Sequence, residues 1–356
     1  MNLNRKFIST IALTLLLTML LAACGANSTE ESSGSSPESA STSEGSGQAP
    51  TTAASPSAET QTRVFRDYEG REVTIPTHPQ RILVNQFMGH LLAVGVKPIG
   101  ATSNQLSQFE DSSFLKPLGL SAGVEDLGNT LSLERALSLN PDLIILQQNA
   151  VDELKNYDEY SKIAPTVVLS YGSKTMFEQL REIADIAGVP EKAEEWIAQY
   201  EEKAAQYREQ LAGVIGPDVT FTVMEAWPKS EIMIFGNLFG RGTFSLYNSL
   251  QLKAPAKVQE AVMDKEPSYL KVSLETLPEY IGDYVFLSVY DWQDGDNAGL
   301  EADFKNAPVW RSLPAVTEDR IIQVNVNDFL PGDPLSIEKQ MEAQVQLLLE
   351  KFQKMK

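Results

Sequence analysis

Residues 190 to 213 run PEKAEEWIAQYEEKAAQYREQLAG, and this stretch decides the fold. Ala193, Trp196, Ile197, Tyr200, Ala204, Tyr207 and Leu211 recur at spacings of three and four, the period of one buried helical face. Pro190 suits the first turn and Gly213 the stop. The spacing predicts one helix over 191–212, about 33 Å long. Before it, short apolar runs at 81–84, 98–101, 142–146 and 166–169 alternate with helical patterns. After it, a second such series runs from 219–224 to 320–324, and a final helix covers 335–352. Strands separated by helices mean βα units and mainly parallel sheet. The expected fold is α/β, with two similar lobes joined by one long rigid helix.

The two halves share a segment. Ser132-Leu133-Glu134 precedes Asp142 and an apolar run, and Ser273-Leu274-Glu275 precedes Asp283 and another, all at one offset of 141. In both copies an N-cap serine is expected to start a helix that feeds a buried strand. Two α/β lobes on one strut leave a cleft where strand ends face each other, the place where open α/β sheets bind ligands.

Several further stretches carry a family likeness in order along residues 63–356. They are Asp67-Tyr68-Glu69-Gly70-Arg71 with Pro79-Gln80-Arg81-Ile82, Gly95-Val96-Lys97-Pro98-Ile99-Gly100, Asp126-Leu127-Gly128, Ser161-Lys162-Ile163-Ala164-Pro165-Thr166, and Pro308-Val309-Trp310 with Leu313-Pro314-Ala315-Val316. Together they resemble the solute-binding lipoproteins of iron-siderophore and vitamin-B12 ABC importers. That resemblance implies a class III solute-binding protein with a single-helix hinge. It also implies that Glu134 and Glu275 pair with arginines of a permease with two-fold symmetry.

The N-terminus reads as an export signal. Arg5 and Lys6 precede an apolar run from Ile11 to Leu21, and Leu21-Ala22-Ala23-Cys24-Gly25 resembles a bacterial lipobox. The chain's one cysteine stands where lipidation requires it. From Gly25 to Thr62 the residues are small, polar or acidic, without an aromatic or a basic side chain, so nothing offsets ordering entropy. Such a tether reaches about 35 Å. The expected organisation is a signal peptide at 1–23, a lipidated cysteine and disordered tether at 24–62, an N-terminal lobe at 63–189, a bridging helix at 190–213 and a C-terminal lobe at 214–356. The product is a lipid-anchored monomer on the outer face of a cell membrane, with a Gram-positive setting suggested by the Ser-rich tether.

Composition removes other classes. The 356 residues carry a formal charge of −19, which gives no basic field for nucleic acid. One cysteine and two histidines exclude disulfide frameworks and multi-histidine metal sites. Gly119-Leu120-Ser121-Ala122-Gly123 matches the nucleophile-elbow pattern but lacks a preceding strand and a downstream histidine, so no enzyme is expected. Asp291, Asp294 and Asp296 lack the spacing of a calcium loop and read as a solvated loop.

What remains is an aromatic rim with one cation. Trp227, Phe235, Phe239, Tyr269, Trp292 and Phe329 fall near strand ends of the C-terminal half, and Arg241 lies between Gly240 and Gly242. A guanidinium offers a fork of donors to clustered oxygens. In the resembling ferric-hydroxamate binders a Trp-Gly-Arg-Gly stretch meets the iron-bound oxygens; here it is Phe239-Gly240-Arg241-Gly242, followed later by Asp333-Pro334. One arginine among aromatics suits a neutral or weakly cationic ferric hydroxamate siderophore better than a polyanion. His90, near a helix start, and Lys174 are further cleft candidates. The protein needs no cofactor or metal ligand of its own, since the siderophore carries the iron. Other siderophores, haem (with Tyr171, Tyr269 or Tyr290 as axial ligand) and corrinoids stay open, as does a surface hydrolase or adhesin on the same scaffold.

Overall fold

Apolar runs too short for helices become strands, and the helical patterns between them become crossovers. A computed structural model describes residues 61–238, 240–291 and 295–354, all within one compact unit. Cys24, Phe239 and Trp292, with the signal and nearly all of the tether, lie outside the described residues.

The hairpin of β1 (Thr62–Arg66) and β2 (Glu72–Pro76) comes first. Then β3 (Ile82–Val84), β4 (Gly100–Ala101), β5 (Glu125–Asp126), β6 (Leu143–Gln147) and β7 (Thr166–Leu169) form a sheet of order β5-β4-β3-β6-β7, parallel at every pairing. The second sheet uses β8 (Phe221–Trp227), β9 (Glu231–Phe235), β10 (Tyr269–Val272), β11 (Tyr284–Val289) and β12 (Ile321–Gln323), in the order β10-β9-β8-β11-β12. Here β8, β11 and β12 are parallel while β9 runs against both neighbours. Pro228–Ser230 is too short for a crossover, so β8 and β9 must form a hairpin. Central strands are buried on both faces, which explains unbroken apolar runs such as Leu143-Ile144-Ile145-Leu146.

The bridging helix spans Pro190–Ala212, 23 residues and about 35 Å. Ala193, Ile197, Tyr200, Ala204 and Leu211 form its buried face. Lys203 Nζ binds Glu338 at 2.5 Å and Glu342 at 2.9 Å, tying the strut to the C-terminal helix Pro334–Lys354.

The internal repeat has a structural basis in its aspartates. Asp142 accepts from the backbone N–H of Gln80 and Arg81 at 2.7 and 2.9 Å, just before β3. Asp283 accepts from the N–H and hydroxyl of Thr220 at 2.8 Å, just before β8. Each pins the start of one central strand to its parallel neighbour. The serines differ. Ser132 caps the helix Leu133–Ser138 by accepting from Arg135 N–H, as expected. Ser273 starts no α-helix, because Pro278 lacks the N–H that would bond Leu274 C=O; the segment is a turn leading into the short 3-10 helix Leu277–Glu279.

The two lobes also meet through side chains. Asp328, buried on the C-terminal side, accepts from Ser112 Oγ at 2.8 Å, Ser113 N–H at 2.6 Å and Ser113 Oγ at 2.7 Å. Phe114 and Phe329 make an edge contact beside it, with ring centroids 5.9 Å apart.

Candidate functional site

Parallel strands place their carboxyl ends, and the loops that follow, on one side of a sheet. On the N-terminal lobe the segments after β3, β4 and β7 converge on a cavity of about 270 Å³. They contribute Gln86, Phe87 and His90, then Asn104, Gln105 and Gln108, then Tyr171, Lys174 and Gln179. The opposite wall is C-terminal: Leu238, Gly240, Arg241 and Phe244, with the turn from Leu330 to Asp333.

The N-terminal wall is made mainly of neutral polar groups. Gln105 Oε1 accepts from Met88 N–H at 3.1 Å, which fixes one carboxamide against the helix that carries His90. His90 is buried, sits edge-on to Phe87, and has no hydrogen-bond partner for Nδ1 among the described residues. Burial lowers its pKa to about 3, so the ring is uncharged at neutral pH. Lys174 is paired with Glu182 at 2.5 Å.

Asp333 joins the walls. Its Oδ2 accepts from Gln108 Nε2 at 2.6 Å and Ser336 Oγ at 2.5 Å, while Oδ1 accepts from the N–H groups of Leu335 and Ser336. The same carboxylate therefore caps the C-terminal helix and grips the N-terminal wall. Burial raises its pKa, and the Ser336 and Leu335 bonds oppose that shift.

Arg241 stands on the C-terminal wall with φ near +70°. Its flanking glycines have a packing reason. A Cβ on Gly240 would lie 2.4 Å from Leu330 O, and one on Gly242 would lie 2.7 Å from the Phe329 ring. The guanidinium is not a lone surface cation. Nε and Nη2 each reach a carboxylate oxygen of Glu225 at 3.1 Å, and Glu225 is fully buried. Trp227 Nε1 donates to Glu225 Oε1 at 2.6 Å and Ser288 Oγ to Oε2 at 2.9 Å. The arginine expected at this place is thus half of an ion pair whose carboxylate is fully buried.

Other expected residues fall elsewhere. Phe235 and Phe329 are 1% and 3% exposed and belong to the interior, not to the cavity lining. Phe235 follows the alternation of β9 and points with Met233 into the core. Phe329 is held between Phe114 and Gly242. Trp227 ends β8 behind Arg241, with Glu225 between them. Tyr269 is 39% exposed at the start of the edge strand β10 and does not line the cavity. Glu134 and Glu275 are exposed. The Gly119–Gly123 match is a turn after the short 3-10 helix Lys116–Leu118. Asp296, expected in a solvated loop, caps the helix Asn297–Asn306 by accepting from Gly299 N–H at 2.8 Å.

Sequence reasoning missed Glu225, the carboxamide wall, Phe87 and Phe244. The signal for Glu225 was present: a lone charge in the strand Phe221–Trp227, whose other residues are apolar apart from Thr222. The amides carried no such signal, because their convergence depends on crossover geometry.

Two α/β lobes on a helical strut, with a polar cavity at the sheet ends, define a two-lobe solute-binding protein. The chain belongs to the periplasmic binding protein family, whose description matches residues 91–325. It is 32% identical to the Bacillus subtilis iron(3+)-hydroxamate-binding protein YxeB, over 99% of both chains. It is 35% identical to the iron(3+)-hydroxamate-binding protein FhuD of the same organism, over 92% of this chain and 93% of that one. Among solved structures, a FhuD-fold component of a ferrichrome ABC transporter from Bacillus subtilis matches with a TM-score of 0.69 at 32% identity, covering 80% of this chain and 99% of that one.

Proposed function

We propose that this chain is an extracytoplasmic receptor, lipid-anchored through Cys24, that takes a ferric hydroxamate siderophore between its lobes and delivers it to an ABC importer. The observation that carries the reading is the cavity lining: neutral carboxamides and a neutral imidazole face an arginine whose charge is balanced. Tris-hydroxamate complexes of ferric iron are neutral or weakly cationic and carry amide groups, so carboxamides can match them without an excess of cations. The YxeB and FhuD likeness supports the same class.

In this reading Arg241 meets the hydroxamate oxygens, while His90, Tyr171 and Phe244 contact the ligand body. Phe239 and Trp292 are proposed as contacts on the sequence alone. Tyr269 is a rim contact, and Trp227 acts through Glu225. Glu134 and Glu275, one on each lobe, are the proposed docking points for a two-fold permease, with the receptor acting as a monomer. Their replacement by Gln should leave siderophore affinity unchanged and sharply reduce uptake in cells that carry the permease. Normal uptake would reject docking.

Intrinsic tryptophan fluorescence tests the ligand class. Ferrichrome or ferrioxamine B should quench it at lower concentration than ferric enterobactin. Tighter binding of the catecholate would overturn the hydroxamate reading and leave the fold untouched.

A further inference from the structure

Glu225 lies on the core-facing side of β8, where Phe221 and Val223 are wholly apolar. A buried carboxylate in such a place is costly unless it is paired and fully hydrogen-bonded. It is both. Its two oxygens accept four hydrogen bonds: Arg241 Nη2 and Trp227 Nε1 on Oε1, Arg241 Nε and Ser288 Oγ on Oε2. Ser288 is also the cross-strand partner of Glu225 on β11, so the sheet register itself aims the acceptor. Glu225 does not line the cavity, whereas Arg241 does, with 13% of its side chain accessible.

Glu225 therefore does two things to the guanidinium. The two-point contact fixes its plane, and whatever approaches from the cleft meets it away from the Nε–Nη2 edge. It also places a full negative charge in contact with the positive one, so that the pair presents a dipole. The other charges of the lining do not restore a positive field. Lys174 is neutralised by Glu182, and Asp333 adds negative charge or none.

We infer that Glu225 is a specificity-determining positioning residue: by cancelling and orienting Arg241 it makes the cleft accept uncharged ferric complexes and reject ferric polyanions. The inference rests on the ferric-siderophore reading above and adds the group that sets its charge selectivity. Three hydroxamates balance ferric iron, whereas three catecholates leave a trianion. The pair's dipole can bond hydroxamate oxygens, but it has no net charge with which to desolvate a trianion.

The test uses the full chain with two probes, ferrichrome (neutral) and ferric enterobactin (trianionic), and reads the ratio of their dissociation constants. Wild type should favour ferrichrome. Glu225→Gln keeps an acceptor for Trp227 and Arg241 but uncovers the positive charge, and should shift the ratio toward enterobactin at least tenfold. Glu225→Gln combined with Arg241→Gln removes both charges and should return the preference toward ferrichrome, which guards against a general packing defect. The shift should shrink at high salt, as a net charge requires. A ratio unchanged in Glu225→Gln, or an equal shift in the double variant, overturns the inference. Failure of wild type to bind either probe would instead overturn the siderophore reading.

Discussion

The two walls of the cleft solve one problem by different means. The N-terminal wall is mostly neutral: Gln86, Asn104, Gln105, Gln108 and Gln179 line it with an imidazole that burial keeps uncharged, and its cation, Lys174, is paired with Glu182. The C-terminal wall sets Arg241 against the buried Glu225, and holds the Asp333 carboxylate by hydrogen bonds from neutral groups. A neutral wall loses little when one amide is removed, because each hydrogen bond it makes is worth only about 0.5–1.5 kcal/mol. A compensated wall is fragile, because removing one partner strands the other in the interior.

The largest effect should follow from breaking the pair. Arg241→Ala leaves Glu225 buried and unpaired, and should destabilise the fold by about 3–5 kcal/mol in denaturant unfolding. A loss below about 1 kcal/mol would show that the carboxylate is not compensated by Arg241. Ligand affinities of that variant would mix stability with recognition, so Arg241→Gln with Glu225→Gln is the better probe of the site.

Next comes the latch between the walls. Asp328→Asn weakens the bonds from Ser112 and Ser113 and should cost about 1.5–3 kcal/mol, the range for hydrogen bonds to a charged group. Hydrogen exchange should rise in the neighbouring helix Ser103–Asp111, which carries Asn104, Gln105 and Gln108. If exchange rises elsewhere and not there, the latch does not hold the wall.

The imidazole gives a smaller effect with a defined pH window. His90 has its folded pKa lowered from 6.5 to about 3, so the unfolded chain binds the proton first. Stability from the neutral ring is complete above pH 6.5 and is lost as the pH falls toward 3. Between pH 6.5 and 5 the loss should be about 1.5 kcal/mol. Asp333, with a raised pKa, works in the opposite direction, gaining stability as the pH falls. Comparing wild type with His90→Gln isolates the histidine: the variant's Tm should fall less over that interval. Parallel Tm curves would contradict a buried neutral ring.

The smallest effect belongs to a single amide. Asn104→Ala should weaken siderophore binding by no more than about 1 kcal/mol. A loss of several kcal/mol would mean that the neutral wall has an anchor of its own and that the contrast between the walls is wrong.

Much of this was legible in the sequence, for identifiable reasons. The strut announced itself because one apolar face repeats over six turns between Pro190 and Gly213, and tertiary packing had nothing to overrule. Asp142 and Asp283 were visible as a repeat, although their role of pinning adjacent strands was not. Arg241 was found through its glycines. Phe235 and Phe329 were misread because a strand end has two faces. Phe235 alternates inward with Met233, and Phe329 fills the seam between lobes opposite Phe114. Among the described residues, the phenyl and phenol rings that line the cavity, Phe87, Tyr171 and Phe244, come from loops and a π-helical turn at Phe244–Ser249, and their convergence is set by the fold rather than by spacing.

The central claim is that a compensated arginine facing a neutral wall selects an uncharged ferric hydroxamate. Competition equilibrium dialysis tests it most directly: the protein is placed against equal concentrations of radiolabelled ferrichrome and unlabelled ferric enterobactin, and the labels are then exchanged. Retained iron should come predominantly from ferrichrome in both arms. Predominant retention of the enterobactin iron would contradict the account.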